Sequence, residues 1–491
     1  MPDTVPVART YGGWRTPRSS GVGSLSMGET ISLLAAMVAV VVVQQAAGTP
    51  WAVLAAAVVG AVLLAVTSTD RHGVSEVGRL GERWRWRRAR RRGQTRYVGG
   101  PLAPRYTTGR FRVPGILWGT TLSEHCDAWG RRFALVHHSD GCVAVVMGLW
   151  PAGTALVDTD QVDDLVARWG VWLGDLGGEA GVVGASVVVE TSPDSGQRLR
   201  RAVGRRLAGG APAAAVAVVE DVVGSSAAGG AQVQVWATLT LSPQALGVGR
   251  RHQVEREVAS RLPALTQTLQ AAGTGPVHLL TAPEVCQMVR TAYDPAAAVL
   301  FDEAASRGEV VGLEWGDVGP AGHEAGWETY RHDSGTSRTW TVSRPPAGTV
   351  HYDVLDRILD VHRDVERKRV TILYHPIEAA RAPELVDRDV SQAAARAGSR
   401  RQPTARDVRA VAVTRQMAEE EAAGAGLVDF GMLVTCTVTS GDVEEAAVPV
   451  ESLAASSRLL VRPAYGCQDS AFAVGLPLGI RPPLMAFGRD R

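Results

Sequence analysis

Residues Thr30–Thr69 read TISLLAAMVAVVVVQQAAGTPWAVLAAAVVGAVLLAVTST and carry no charged side chain. A helix that crosses the roughly 30 Å hydrocarbon core of a bilayer needs about 20 apolar residues at 1.5 Å per residue. The apolar block Ile31–Val66 is too long for one span, and Gly48-Thr49-Pro50 offers a point where a helix stops and restarts. The stretch therefore predicts a two-helix transmembrane hairpin with arms Ile31–Ala47 and Trp51–Val66.

Arginines flank this hairpin and indicate its orientation. Ten of them lie between Arg71 and Arg96, against only Glu76 and Glu82. Because Arg and Lys close to a span resist translocation, the sequence predicts a multi-pass protein of the inner (plasma) membrane, with the N-terminus and the main body cytoplasmic. A buried helical hairpin and a cleaved signal peptide are less favoured, because the helices lack a polar face and the block lies far from Met1.

The densest part of this flank interleaves arginines with two tryptophans. Near an anionic leaflet each Arg contributes on the order of 1 kcal/mol, and the same side chains bind nucleic-acid phosphates. Both contacts remain open, with the juxtamembrane anchor favoured. The predicted contact residues are Arg83, Trp84, Arg85, Trp86, Arg87, Arg88, Arg90, Arg91 and Arg92.

The charge balance differs between this region and the rest of the chain. The whole chain has 51 Lys and Arg against 50 Asp and Glu. Residues 1–96 hold a clear excess of arginine, so the remainder is mildly acidic, with a net charge of about −7 by subtraction. This acidic balance argues against a general nucleic-acid grip by the main body.

Several kinds of catalytic and metal site are not indicated. The sole lysine, Lys368, does not stand in the glycine-rich setting of a nucleotide-binding P-loop, and no G-x-S-x-G elbow occurs. The pairs His125-Cys126 and His137-His138 look like metal ligands, but nothing nearby in the sequence completes a tetrahedral set. We therefore predict no enzymatic activity, no catalytic residues, no cofactor and no metal, and we expect another chain to supply any ATP hydrolysis.

Patterning beyond the stem predicts two α+β units of split βαβ type, each with a mainly antiparallel sheet. Gln232–Leu241 alternates as a strand, and Leu427–Thr439 is rich in β-branched residues. The order of strands and helices in the second unit echoes the first. The predicted regions are a cytoplasmic lead-in (1–29), the transmembrane hairpin (30–69), a basic juxtamembrane stem and linker (70–115), a first α+β domain (116–307) and a second α+β domain (308–491).

Several segments resemble known families. The lead-in Tyr11–Gly21, the hairpin and the basic stem resemble an actinobacterial family of conjugation-associated membrane proteins, some labelled EccE-like. The hairpin itself is similar to the PrgI-like subunit of type IV secretion systems. The C-terminal half resembles the non-ATPase N-terminal part of VirB-type secretion ATPases in Asp333–Trp340, Phe430–Thr439, Tyr465–Phe472 and Leu476–Gly479.

The resemblance implies a non-enzymatic, inner-membrane structural component of a conjugative, type IV-like DNA-transfer or secretion apparatus. Its implied partners are the membrane, a separate VirB4-like ATPase that it docks and other channel subunits, with homo-oligomerisation open. The ATPase module that follows in the VirB-type proteins is absent here. Two alternatives remain: an EccE-like subunit of a type VII secretion system, and a membrane-tethered nucleic-acid-binding protein.

Overall fold

The described strands form a single antiparallel β-sheet, which organises this part of the chain. The computed structural model describes Tyr11, Trp14 and residues 27–68, 70–101, 103, 110–153, 157–194, 199, 203–208, 210–227, 231–309, 311–346, 348–399 and 401–482. The rest of the predicted lead-in, up to residue 26, lies outside these residues. The strands are β1 (Arg96–Val98), β2 (Thr121–Cys126), β3 (Arg132–His137), β4 (Val143–Leu149), β5 (Val182–Pro193), β6 (Ala231–Leu241), β7 (Val277–Leu279), β8 (Gly322–Ala325), β9 (Tyr330–His332), β10 (Gly335–Arg344), β11 (Arg367–Pro376), β12 (Val428–Val438) and β13 (Leu460–Pro463).

Helices precede the sheet and cover it. The described helices are α1 (Met27–Ala47), α2 (Thr49–Thr67), α3 (Glu76–Arg91), α4 (Thr159–Asp175), α5 (Ala213–Ala227), α6 (Arg251–Leu269), α7 (Ala282–Tyr293), α8 (Ala297–Ser306), α9 (Asp356–Leu359), α10 (Ala382–Gly398), α11 (Ala405–Ala422), α12 (Val443–Ser456) and α13 (Gln468–Val474). The strand order is β1-β8-β9-β10-β12-β11-β5-β6-β4-β3-β2, with β13 paired to β10 and β7 paired to β4. The two predicted α+β units are therefore halves of one sheet.

The two halves repeat the same connectivity. In the first, the order is β3-β4-β6-β5 with β7 on β4; in the second, it is β9-β10-β12-β11 with β13 on β10. The helices follow the same order. Helices α6 and α12 come directly after β6 and β12, and α7 and α13 come after the short strands β7 and β13. Equivalent strands β5 and β11 pair antiparallel at the centre, from Lys368 opposite Thr191 to Tyr374 opposite Ala185. This is the arrangement that a two-fold relation between the halves produces.

A buried ion cluster crosses this central joint. The two carboxylate oxygens of Glu190 on β5 lie 2.5 Å from Nη1 of Arg367 and 2.6 Å from Nη2 of Arg369, and both arginines are on β11. All three side chains are buried. Burial by itself would raise the pKa of Glu190, but the two guanidinium groups outweigh it and hold that pKa below its usual value.

The C-terminal segment, residues 467–480, packs on both halves of the sheet. In the first half, the hydroxyls of Thr238 and Thr240 donate to the carbonyls of Pro477 and Gly479 at 3.0 and 2.9 Å. In the second half, the hydroxyl of Thr371 donates to the carbonyl of Gly475 at 2.8 Å. The segment therefore reinforces the joint between β5 and β11 from the face of the sheet.

The apolar stretch forms two helices, but the transmembrane prediction is wrong. The helices α1 and α2 pack against each other across Gly48, whose φ is +85°. Within the described residues, no helix is long and apolar enough to cross a membrane. The continuous apolar run of α2, Trp51–Val66, extends about 24 Å at 1.5 Å per residue, short of the roughly 30 Å hydrocarbon core, and the run in α1 ends at Gln44. The predicted transmembrane hairpin and the multi-pass inner-membrane localisation are therefore both corrected.

Candidate functional site

The basic run forms the second half of α3. The helix begins after Ser75, whose hydroxyl accepts a hydrogen bond from the backbone N–H of Gly78 at 3.1 Å. Glu76 lies in the first turn, where a carboxylate complements the positive helix end, and arginines fill the last turn, where they complement the negative end. The sequence of the stem thus specifies a capped, polarised helix.

One face of α3 is fixed to the body of the protein. Glu82 lies 2.6 Å from a guanidinium nitrogen of Arg462 on β13. One turn later, the ring of Trp86 meets that of Trp327 edge to face at 5.5 Å. Arg462 in turn lies over the ring of Tyr465, 5.0 Å from its centroid. Since residues four apart share a helix face, these contacts leave the opposite face of α3 in solvent.

The predicted contact residues divide between these two faces. Trp86 is partly buried on the fixed face, whereas Trp84 and all of the predicted arginines are exposed: Arg83, Arg85, Arg87, Arg88, Arg90, Arg91 and Arg92. Arg88 lies over the ring of Trp84 at 5.3 Å, and Arg90 over that of Trp86 at 5.4 Å. The predicted run therefore consists of exposed arginines around one tryptophan, Trp86, that holds the helix in place.

A cavity of about 640 Å³ lies beside the fixed face of α3. Its walls come from α3, from the turn after β3 and from residues 462–482. The side chains that give it its chemical character are Arg85, Trp86, His138, Arg462, Cys467 and Arg481. Most of the wall is apolar, so the site suits a ligand that combines a ring or another apolar part with an anionic group.

Charged groups at the mouth of this cavity are largely paired with each other. A guanidinium nitrogen of Arg481 lies 3.3 Å from a carboxylate oxygen of Asp140 and 3.0 Å from the sulfur of Cys142. Burial alone would raise the pKa of Asp140, but the N–H of Cys142 and the charge of Arg481 lower it. His138 donates from Nε2 to the carbonyl of Leu478 at 2.8 Å, and burial lowers its pKa, so its imidazole is neutral at pH 7.

The groups in the cavity favour binding over covalent chemistry. Burial raises the pKa of the Cys467 thiol to about 11, and this thiol donates to the carbonyl of Ala464 at 3.6 Å, so it is protonated at pH 7. The indole N–H of Trp86 is buried and has no hydrogen-bond partner among the described residues. A bound ligand with an oxygen at this position would satisfy that donor.

Sequence reasoning missed the C-terminal wall of the cavity. The segment Tyr465–Phe472 is recognisable in the sequence only by its family resemblance, and that resemblance does not indicate a binding site. In the structure, the Gln468 amide bonds both the N–H and the carbonyl of Thr339, at 2.8 and 3.1 Å, and so anchors the segment to β10. A turn that is held this rigidly beside an exposed basic helix is a candidate wall of a binding site.

A second surface feature is the apolar pair α1 and α2. Between Glu29 and Asp70 the chain has no charged residue. Ten large apolar side chains of these helices are more than half exposed: Leu34, Met37, Val38, Val41, Val42, Trp51, Val53, Leu54, Val58 and Val62. Contiguous exposed apolar surface of this kind marks an interaction site.

Comparison with protein families matches the N-terminal part of the chain. A family described as a domain of unknown function, DUF8461, matches residues 18–77. That range contains α1 and α2 and ends in the first turn of α3. No curated protein matches the chain.

Proposed function

We propose that the protein is a non-enzymatic assembly component of a DNA-transfer or secretion apparatus, in which it docks a separate ATPase. The observation that carries the proposal is the exposed apolar surface of α1 and α2, with ten large side chains more than half in solvent. Burying such a surface stabilises an assembly by about 25 cal/mol per Å². We propose that apolar helices of another subunit of the apparatus bind this α1–α2 surface. The surface offers no charged partner, so a charged side chain buried against it would remain unpaired.

Two features of the sequence support the proposed docking of a separate ATPase. The C-terminal half resembles the non-ATPase part of VirB-type secretion ATPases, and the chain has only Lys368 with no P-loop around it. A body that resembles the non-ATPase part of such an ATPase suits a contact with a separate hexameric ATPase. The ATPase then supplies the energy, and this protein connects it to other subunits.

Affinity purification tests this proposal. The tagged full-length chain, cross-linked in its own cells, is expected to recover a VirB-type ATPase and further subunits of the apparatus. Val58→Asp places a charge on the apolar surface and is expected to remove the subunits that bind there. The matched control is Val408→Asp on α11, where the valine is 57% exposed against 56% for Val58. Repeated recovery without any secretion or conjugation component would overturn the proposal, and recovery of type VII subunits would favour the EccE-like alternative.

A second candidate function is nucleic-acid binding by α3. The observation that favours it is the set of exposed arginines on α3, of which Arg85 lines a cavity together with Trp86, whose indole N–H has no partner among the described residues. Aromatic rings stack on bases, and arginines bind the phosphates beside them. The apolar α1–α2 surface has no role in this alternative, which is why we place it second.

Fluorescence anisotropy with a labelled single-stranded 20-mer measures this alternative. Binding through α3 predicts a linear fall of log affinity with log salt concentration, at about 0.7 per phosphate contact. Replacing Arg85, Arg87 and Arg90 with Gln should then lower the slope by about 2. The control replaces Arg406, Arg409 and Arg415, exposed on α11, in the same way. Equal slopes in the two triple variants would exclude α3 as the contact.

A further inference from the structure

Two histidines that are distant in the sequence lie on one face of the β2–β3 hairpin. The strands pair antiparallel, with Thr121 opposite His137 and His125 opposite Phe133. Because side chains alternate between faces, the odd-numbered residues of both strands share one face. That face therefore carries His125, Ser123 and His137 together.

The hydroxyl of Ser123 shows that both imidazoles point at the same place. Its oxygen lies 2.8 Å from Nε2 of His125 and 2.7 Å from Nε2 of His137. A hydroxyl has a single proton, so it donates to one of these nitrogens and accepts from the other. Two imidazole nitrogens thus converge on one point.

Helix α6 contributes a carboxylate to the same point. An oxygen of Glu255 lies 3.8 Å from Nε2 of His125, and both side chains are about a fifth to a quarter exposed. One potential ligand atom each from His125, His137 and Glu255 all lie within 4.8 Å of one another. The three residues come from three different elements, which places the cluster where α6 packs on the edge of the sheet.

We propose that His125, His137 and Glu255 bind a divalent transition-metal ion, and that zinc is the ion this donor set fits. Zinc takes His nitrogens at about 2.0–2.1 Å and carboxylate oxygens at about 2.0–2.2 Å in a tetrahedron, so its ligand atoms are about 3.4 Å apart. The three atoms now lie within 4.8 Å of one another, so each pair needs to approach by at most about 1.4 Å to reach that spacing. Ser123 or a solvent molecule takes the fourth position. Two imidazoles select zinc over magnesium or calcium, which prefer oxygen ligands.

Arg251 opposes the metal at this site. Its Nε lies 3.0 Å from the same Glu255 oxygen, and its side chain is 57% exposed. The positive guanidinium repels a bound cation and competes with it for the Glu255 carboxylate. Removing Arg251 therefore strengthens metal binding, whereas a mere network of hydrogen bonds and ion pairs predicts no such gain.

The bound metal would fix the edge of the first half of the sheet. It joins β2 and β3 to α6, three elements that backbone pairing, apolar packing and the ion pair of Arg132 with Glu124 also hold. An ion that binds only the folded chain stabilises it by an amount that grows with the logarithm of its concentration. This role is independent of the proposed function and of the cavity beside α3.

Calorimetric titration tests the site on the full-length chain. The protein is treated with EDTA, dialysed and titrated with ZnCl2, and cobalt is used in parallel because its visible absorption reports tetrahedral coordination. We expect one zinc per chain. His137→Ala and Glu255→Gln should each weaken binding at least tenfold, and Arg251→Ala should tighten it several-fold. His252→Ala and Glu257→Gln, two residues of α6 outside the cluster, are the matched controls.

The outcomes separate the site from its alternatives. Far-ultraviolet circular dichroism of each variant confirms that a loss of zinc is not a loss of fold. The proposal fails if the folded wild type binds no zinc, or if binding survives in both His137→Ala and Glu255→Gln. It also fails if Arg251→Ala weakens binding.

Discussion

At the scale of single residues, the sole lysine is held in an unfavourable place. Lys368 is 1% exposed on β11, and its ammonium group donates to the carbonyl of Asp360. Burial lowers its pKa from 10.5 to about 8, although the Asp360 carboxylate acts in the opposite direction. The charged form is therefore less stable in the folded chain than in the unfolded chain. Stability from this group is lowest below about pH 8 and rises as the pH increases towards 10.5.

Replacing this lysine should stabilise the protein at neutral pH. Lys368→Met removes the buried charge and keeps most of the side-chain volume, so we expect the free energy of unfolding at pH 7 to rise by about 1–3 kcal/mol. The gain should shrink between pH 8 and pH 10, where the wild-type lysine loses its proton in the folded state. Urea unfolding of both proteins at pH 7 and pH 9.5 measures the difference. A variant that is less stable at pH 7 would contradict this explanation.

The buried cluster of Glu190, Arg367 and Arg369 leads to the opposite expectation. Glu190→Gln leaves two buried guanidinium groups without their anion, which should cost about 3–5 kcal/mol. Because the folded pKa of Glu190 lies below its unfolded value, its contribution is present above about pH 4.5 and is lost as the pH falls through the folded pKa. Urea unfolding at pH 7 tests the cost. Replacing Glu190 with Leu and both arginines with Met should recover most of the lost free energy of unfolding. Failure to recover it would contradict a purely electrostatic origin of the loss.

At the scale of elements, α3 is held to the body chiefly by Trp86 and by the pair of Glu82 with Arg462. Trp86→Ala removes the edge-to-face contact with Trp327, and we expect the free energy of local opening of α3 to fall by about 1–2 kcal/mol. Native-state hydrogen exchange of the amides in 76–91 measures this change. The control is Trp84→Ala, since Trp84 is 62% exposed. Equal exchange in the two variants would refute the role of Trp86.

Local sequence patterns predicted individual elements better than their assembly. The strand predicted at Gln232–Leu241 is β6, Ala231–Leu241, and the strand predicted at Leu427–Thr439 is β12, Val428–Val438. The pairing of β5 with β11 joins residues nearly 190 positions apart, and no local period contains that register. Hydropathy identified α1 and α2 as apolar helices. It does not show where each apolar run is interrupted, and a transmembrane span needs about 20 uninterrupted apolar residues.

The histidine cluster was missed for a similar reason. His125 and His137 look like ligands in the sequence, but they share a face only if Thr121–Cys126 is recognised as a strand and paired in register with β3. The third residue, Glu255, lies on a helix about 130 positions further along the chain. Recognising β2 as a strand would have brought the two histidines together, whereas only the folded structure adds the carboxylate.

At the scale of the whole molecule, the two halves should unfold together, because β5 pairs with β11 and the C-terminal segment bonds both. Gly479 is the sharpest test of this joint. Its φ is +71°, and a Cβ there would lie 2.5 Å from the Thr240 hydroxyl oxygen and 2.6 Å from the Ala144 Cβ. Gly424 has a φ of +98° with nothing within 4 Å of its Cβ position, so Gly424→Ala carries only the backbone strain of about 1–2 kcal/mol. Gly479→Ala should cost a further 1–3 kcal/mol or so from overpacking.

Urea unfolding measures this coupling when it is followed at Trp172 in the first half and at Trp340 in the second, each in a protein whose other tryptophans are replaced. The two transitions should coincide and should shift together in Gly479→Ala. Separate midpoints in the two single-tryptophan proteins that keep Gly479, or a shift no larger than that of Gly424→Ala, would show that the halves are not coupled through this segment.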